Sequence, residues 1–147
     1  MNELGKQLEQ RFYRYLAIES QSDAASIVVP STEGQRELAK LLAQELENYG
    51  LKNVYIDDHA ILYAMRPGNK PSAPKIGFVT HLDTVDVGLS PIIKPQTLRY
   101  EGQDLCLNEK ENIWFKTAEH PEAAPYIGED IIFSDGTSVL GAEIKPL

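Results

Sequence analysis

The chain has 147 residues, the length of one ordinary domain, and a composition typical of a soluble globular protein. Its formal net charge is −8 and it has no long basic stretch, so we expect no nucleic-acid partner. Because no apolar run approaches a membrane span and the first residues lack the layout of a signal peptide, we expect no membrane partner and a cytoplasmic location.

Two amphipathic helices are predicted in the first third of the chain. Apolar residues at helical spacing indicate the first from about Glu3 to Glu19, and it should cover one face of a sheet. The second is predicted to begin after Thr32, whose spacing to Gln35 is that of a capping box. Gly50 should end it, because glycine readily takes the left-handed conformation found at helix ends.

A β-hairpin is predicted next. Residues 51–56 and 61–65 have strand-like composition and flank a turn at 57–60. A loop rich in proline and glycine follows at 66–74. His59 lies in the predicted turn, where a solvent-exposed role is a simpler interpretation than a ligand role.

The apolar run from Lys75 to Thr84 predicts a buried strand with His81 and Asp83 at its C-terminal end. Ligands of open α/β sheets bind at this end of the strands. Side chains two residues apart on an extended segment point to the same side, so the Asp83 carboxylate can reach the His81 ring. This is the geometry of a metal-bound imidazole oriented by a carboxylate. Taken alone, the pattern is better explained by a polar strand end with one partly buried histidine than by a metal site.

Short extended segments are predicted in the remainder of the chain. They lie at 91–95 and 98–107, and a further strand is predicted at 130–134, followed by a turn at Asp135-Gly136 and an extended end at 137–147. His120 is expected in a loop because Pro121 and Pro125 exclude a long helix there. The order of helices and strands predicts an α/β fold with a mixed, largely parallel sheet flanked by helices.

Four blocks of sequence span nearly the whole chain. They are VPSTEGQ (29–35), IGFVTHLDT (76–84), YEGQD (100–104) and DGTSVLGA (135–142). In order and spacing they resemble the N-terminal part of the tripeptide aminopeptidases of the two-zinc aminoacylase and carboxypeptidase family. The resemblance implies that residues 1–147 form part of a zinc-exopeptidase-like catalytic domain, without its lid or dimerisation domain.

The resemblance also implies roles for individual residues. His81 corresponds to a zinc ligand, and Asp83 to the catalytic-site carboxylate that orients its ring. Two zinc ions and short peptide substrates are expected for the complete family site. Glu143 takes the position of the aspartate that bridges the two zincs in the family, and its longer side chain departs from that pattern. No residue of this chain corresponds to the family's general base.

The function expected from this resemblance is the N-terminal portion of a zinc-dependent tripeptide aminopeptidase. Because most of the family's ligands have no counterpart in the sequence, we expect weak or absent zinc binding and no activity from the chain by itself. The alternative is a truncated, non-catalytic relative that acts as a binding module, self-associates, or needs a second chain to complete the site.

Overall fold

The computed structural model describes residues 3–140, which fall into two units. The first unit comprises residues 18–86, and the second comprises residues 3–17 together with 87–140. The helices are α1 (Glu3–Leu16) and α2 (Glu33–Asn48). The strands are β1 (Lys52–Ile56), β2 (Leu62–Met65), β3 (Pro95–Tyr100), β4 (Leu105–Asn108), β5 (Ile113–Phe115) and β6 (Glu129–Ser134). Two short 3₁₀ helices occupy Thr117–Glu119 and Pro121–Tyr126.

Helix α2 is confirmed, but its first turn differs from the predicted capping box. Thr32 has the extended backbone of an N-cap, yet its hydroxyl donates to the Gln21 carbonyl (2.8 Å) and not to the helix. The Gln35 side chain reaches back to Ser31, accepting from its N–H (3.2 Å) and donating to its hydroxyl (2.9 Å). The Gln35 side chain therefore bonds one residue earlier than the capping-box pattern predicts, and no side chain caps the helix.

The C-terminal end of α2 follows the predicted glycine stop. Gly50 has a φ of 76° and its N–H donates to the Glu47 carbonyl (2.8 Å). The N–H of Leu51 donates to the Leu46 carbonyl (3.1 Å). These two bonds form a Schellman motif, which satisfies carbonyls that the helix leaves without partners.

Strands β1 and β2 form the predicted antiparallel hairpin, against which α2 packs. Tyr55 lies opposite Tyr63, and their rings are stacked with centroids 4.7 Å apart. The Asp57 carboxylate closes the turn by accepting from the N–H groups of His59 and Ile61, both at 2.9 Å.

The second unit is built on two antiparallel strand pairs, β3 with β6 and β4 with β5. Its core contains Tyr100, Leu105 and Ala123, and the Phe115 ring meets Tyr100 edge-on at 5.8 Å. Helix α1 ends at Leu16, short of the predicted Glu19. It reaches β3 through a contact between the hydroxyls of Tyr13 and Thr97, but none of its residues is buried, so it covers the sheet only in part.

The mixture of helix and strand is confirmed, whereas the largely parallel sheet is not. The strands in the described part of the chain form three separate two-stranded sheets, and each sheet is antiparallel. The parallel contact found among residues 3–140 is an isolated bridge between Gln21 and Thr84. None of the helices described is both long and apolar enough to cross a membrane.

The prediction of a buried strand at Lys75–Thr84 is wrong. No strand is formed there, and the side chains of Ile76, Phe78 and Val79 are 78%, 95% and 100% exposed. An apolar run favours burial, but a strand also needs neighbouring strands to take up its backbone hydrogen bonds. None of the strands in residues 3–140 lies alongside this run.

The predicted extended end after Asp135-Gly136 is not a strand over residues 137–140. The remainder of that prediction, residues 141–147, lies outside the described residues. Gly136 has a φ of 78°, as the predicted turn requires.

Candidate metal site

The predicted partnership of His81 and Asp83 is present, although the segment that carries it is not a strand. Nδ1 of His81 lies 3.2 Å from Oδ1 of Asp83 and 2.8 Å from the main-chain oxygen of the same residue. One ring nitrogen of His81 is therefore engaged by two oxygens of a single residue.

These contacts determine which nitrogen of the neutral ring carries the proton. A main-chain carbonyl oxygen can only accept a hydrogen bond, so Nδ1 of His81 must be the donor. The Asp83 carboxylate, when ionised, is also an acceptor. Nε2 is consequently left with its lone pair, which is the form of histidine that binds a metal ion.

The site is open to solvent. The His81 side chain is 78% exposed and the Asp83 side chain 38% exposed. Within residues 3–140 no group of three or more His, Cys, Asp or Glu side chains is arranged to hold a metal ion. Glu143, the predicted bridging residue, lies outside the described residues.

The donor set fits zinc as one ligand of a larger set. Neutral imidazole is a common zinc ligand, and zinc-bound histidines usually donate their other N–H to a carboxylate or a main-chain carbonyl. His81 would hold the ion through Nε2, and Asp83 would fix the ring. A zinc site with one protein ligand is weak, because catalytic zinc usually takes three.

No ligand role is predicted for the other two histidines. Nδ1 of His59 lies 3.4 Å from the Val29 carbonyl oxygen, in the turn where it was expected. His120 is in the predicted loop region, between the two 3₁₀ helices. Its Nδ1 lies 2.8 Å from the Glu122 carboxylate, and its ring stacks on Phe115 at 4.5 Å.

Sequence reasoning missed the main-chain carbonyl of Asp83, which lies closer to His81 than the predicted carboxylate does. It also missed the segment Ser20–Ser22, which pairs with Thr84 next to the site. Neither contact leaves a residue-type pattern, because main-chain groups are common to every residue.

Comparison with known proteins adds to this geometry. No family model matches the chain. A peptidase T-like protein of Yersinia pestis is 62% identical over 142 residues, which cover 97% of this chain and 35% of the relative. A peptidase T-like protein of Rhizobium meliloti is 58% identical over 140 residues, covering 95% of this chain and 34% of that protein. Peptidase T of Geobacillus thermodenitrificans is 39% identical over 142 residues, or 95% of this chain and 34% of the enzyme.

The chain resembles the N-terminal part of peptidase T. The chain spans about a third of the length of the curated relatives it matches. Because the peptidase T similarity covers nearly the whole chain, it includes both the VPSTEGQ block and the segment that carries His81 and Asp83. The resemblance to a peptidase predicted from the sequence blocks is thus confirmed.

Proposed function

We propose that this chain contributes a zinc ligand and its orienting carboxylate to a zinc-dependent tripeptide aminopeptidase. The observation that carries the proposal is the double contact of Nδ1 of His81 with Asp83, which leaves the Nε2 lone pair for a metal ion. The similarity to peptidase T over nearly the whole chain supports a peptidase function. Short peptides are the proposed substrates.

The roles of the two residues follow from their contacts. His81 binds the ion through Nε2, and Asp83 orients the ring by accepting from Nδ1–H. Zinc, when bound, supplies Lewis-acid activation of a water molecule and of the peptide carbonyl. A general base must also take a proton from that water, and no residue of this chain corresponds to the family's general base.

The first test is tripeptide hydrolysis by the purified 147-residue chain with added Zn²⁺. We expect no turnover above the zinc-only background, because His81 is the one proposed imidazole ligand and no residue of this chain corresponds to the family's general base. Release of the N-terminal amino acid, followed by chromatography, is the readout. Robust turnover that His81→Ala abolishes and His120→Ala preserves would contradict the expected inactivity of the isolated chain.

A second function, an interaction module, is favoured by one specific observation. Phe78 and Val79 are 95% and 100% exposed, and Ile76 is 78% exposed. Exposed apolar side chains that are neighbours in sequence favour association with another protein surface. This segment would then serve for self-association or for binding a chain that completes the site.

Sedimentation velocity tests this second function by measuring whether the chain self-associates. We expect the wild-type chain to associate as its concentration rises, and the double variant Phe78→Ser, Val79→Ser to remain monomeric. Tyr49→Ser is the matched control, because Tyr49 is also exposed (60%) but lies at the end of α2. A wild-type chain that stays monomeric at high concentration would argue against the module.

A further inference from the structure

The N–H of the peptide group between Asp83 and Thr84 is hydrogen-bonded to another segment. The Thr84 N–H donates to the Ser20 carbonyl (3.3 Å), and the Ser22 N–H donates to the Thr84 carbonyl (2.9 Å). In a planar trans peptide the C=O and N–H groups point in opposite directions. The bond to Ser20 therefore sets the direction of the Asp83 carbonyl, which accepts from Nδ1–H of His81.

The segment that holds this peptide is itself fixed by the first turn of α2. A Cβ atom at Gly34 would lie 1.7 Å from the Glu19 carbonyl oxygen, so only glycine permits this approach of the two backbones. The Thr32 hydroxyl donates to the Gln21 carbonyl at 2.8 Å. Two independent contacts thus connect the start of α2 to residues 19–22.

These contacts give a role to a sequence block that contains no proposed zinc ligand. Thr32 and Gly34 belong to the VPSTEGQ block at 29–35. Ser31 and Gln35 of the same block bond to each other, and the Ser31 hydroxyl also accepts from the Asp23 N–H (3.1 Å). The block is therefore a connected unit next to the segment that holds Thr84.

We infer that Thr32 and Gly34 are positioning residues for His81. They fix residues 19–22, these fix the Asp83–Thr84 peptide, and the carbonyl of that peptide holds His81 in its Nδ1–H form. The inference deepens the proposed function, since this form presents the Nε2 lone pair to a metal ion. It does not require that zinc be bound.

The test measures which nitrogen of the neutral His81 ring carries the proton, in metal-free protein. Long-range ¹H–¹⁵N correlations of the imidazole rings at about pH 9, where such rings are neutral, give the ratio of the two tautomers. We expect Thr32→Val to lower the Nδ1–H to Nε2–H ratio of His81 by up to about fivefold, the change that corresponds to complete loss of one ordinary hydrogen bond. Thr32→Ser keeps the hydroxyl and should restore the wild-type ratio. The His120 ring, in the other unit, is an internal control that should not change.

A second pair of variants keeps the inference testable. Gly34→Ala should lower the same ratio, whereas Gly68→Ala should not, because a Cβ at Gly68 meets nothing within 4 Å. If Gly34→Ala does not fold, Thr32→Val and Thr32→Ser decide the matter. A folded Thr32→Val variant with the wild-type ratio would overturn the inference. Because no metal is present, failure here is distinguishable from a failure of His81 to bind zinc.

Discussion

The structure places His81 and Asp83 together for a simple reason at the scale of single residues. They are two residues apart, and Nδ1 of His81 lies 3.2 Å from Oδ1 of Asp83 although the segment belongs to no sheet. The sequence therefore predicts the pair correctly although its strand is absent. The direction of the Asp83 carbonyl could not be predicted, because it depends on hydrogen bonds to a distant segment, Ser20–Ser22.

The two acceptors of His81 predict an unequal effect of two substitutions on zinc affinity. Asp83→Ala removes the carboxylate but leaves the nearer main-chain oxygen, so we expect zinc affinity to fall about tenfold, the lower end for loss of such a partner. His81→Ala should remove the site. Isothermal titration calorimetry with Zn²⁺ compares the two variants with wild type. If Asp83→Ala abolished zinc binding as completely as His81→Ala, the main-chain oxygen of residue 83 would not orient the His81 ring.

Asp135 predicts a pH dependence of stability in the second unit. Burial by itself would raise the pKa of this carboxyl, but hydrogen bonds from the Thr137 hydroxyl (2.6 Å) and N–H (3.0 Å) and the charge of Lys94 together lower it. A carboxyl with a lowered pKa in the folded state stabilises that state above the unfolded-state pKa of about 4, and this contribution is lost as the pH falls through the folded-state pKa.

We therefore expect the free energy of unfolding of the wild type to fall more steeply below about pH 4 than that of Asp135→Asn. Urea unfolding at a series of pH values, followed by circular dichroism, measures the difference. Asp130→Asn is a suitable control, because that carboxylate is 58% exposed. If the free energies of unfolding of wild type and Asp135→Asn changed with pH in parallel, unfolding would not be coupled to proton uptake by Asp135.

Individual elements are predicted well where local chemistry determines them. The end of α2 needs a left-handed residue and has Gly50, and the hairpin turn at 57–60 is closed by the Asp57 carboxylate. The start of α2 is predicted less well, because Thr32 has a competing acceptor in Gln21 that no local pattern reveals. Local patterns fix an element when its stabilising groups are neighbours in sequence, and fail when a remote carbonyl competes.

Gly50→Ala tests the contribution of the helix end. A Cβ there meets nothing within 4 Å, so the cost comes from the left-handed backbone (φ 76°) and should be about 1 kcal/mol. Gly68→Ala, with equally open surroundings and no left-handed φ, should not lower the free energy of unfolding. Chemical denaturation of both variants gives the comparison. Equal effects would rule out the backbone conformation of Gly50 as the cause.

At the scale of the whole molecule, the order of elements is easier to predict than their pairing. Alternating helices and strands suggest a parallel sheet, but every strand pair among residues 3–140 is an antiparallel one between short strands. The segment Lys75–Thr84 has the composition of a central strand, yet its residues 75–81 are exposed, because no described strand lies beside it. A strand-like composition allows a segment to form a strand, but the segment forms one only when other strands lie beside it.

The proposed role of His81 is to bind zinc through Nε2 while Asp83 holds Nδ1–H. The most direct measurement is a Zn²⁺ titration of the metal-free chain, followed on the side-chain nitrogens of its three histidines. We predict that Nε2 of His81 responds at the lowest zinc concentration and that its Nδ1 stays protonated. His120 is the matched comparison, because it also has a carboxylate on Nδ1 but lies stacked on Phe115. A response of His120 or His59 at an equal or lower zinc concentration, or zinc on Nδ1 of His81, would contradict the claim.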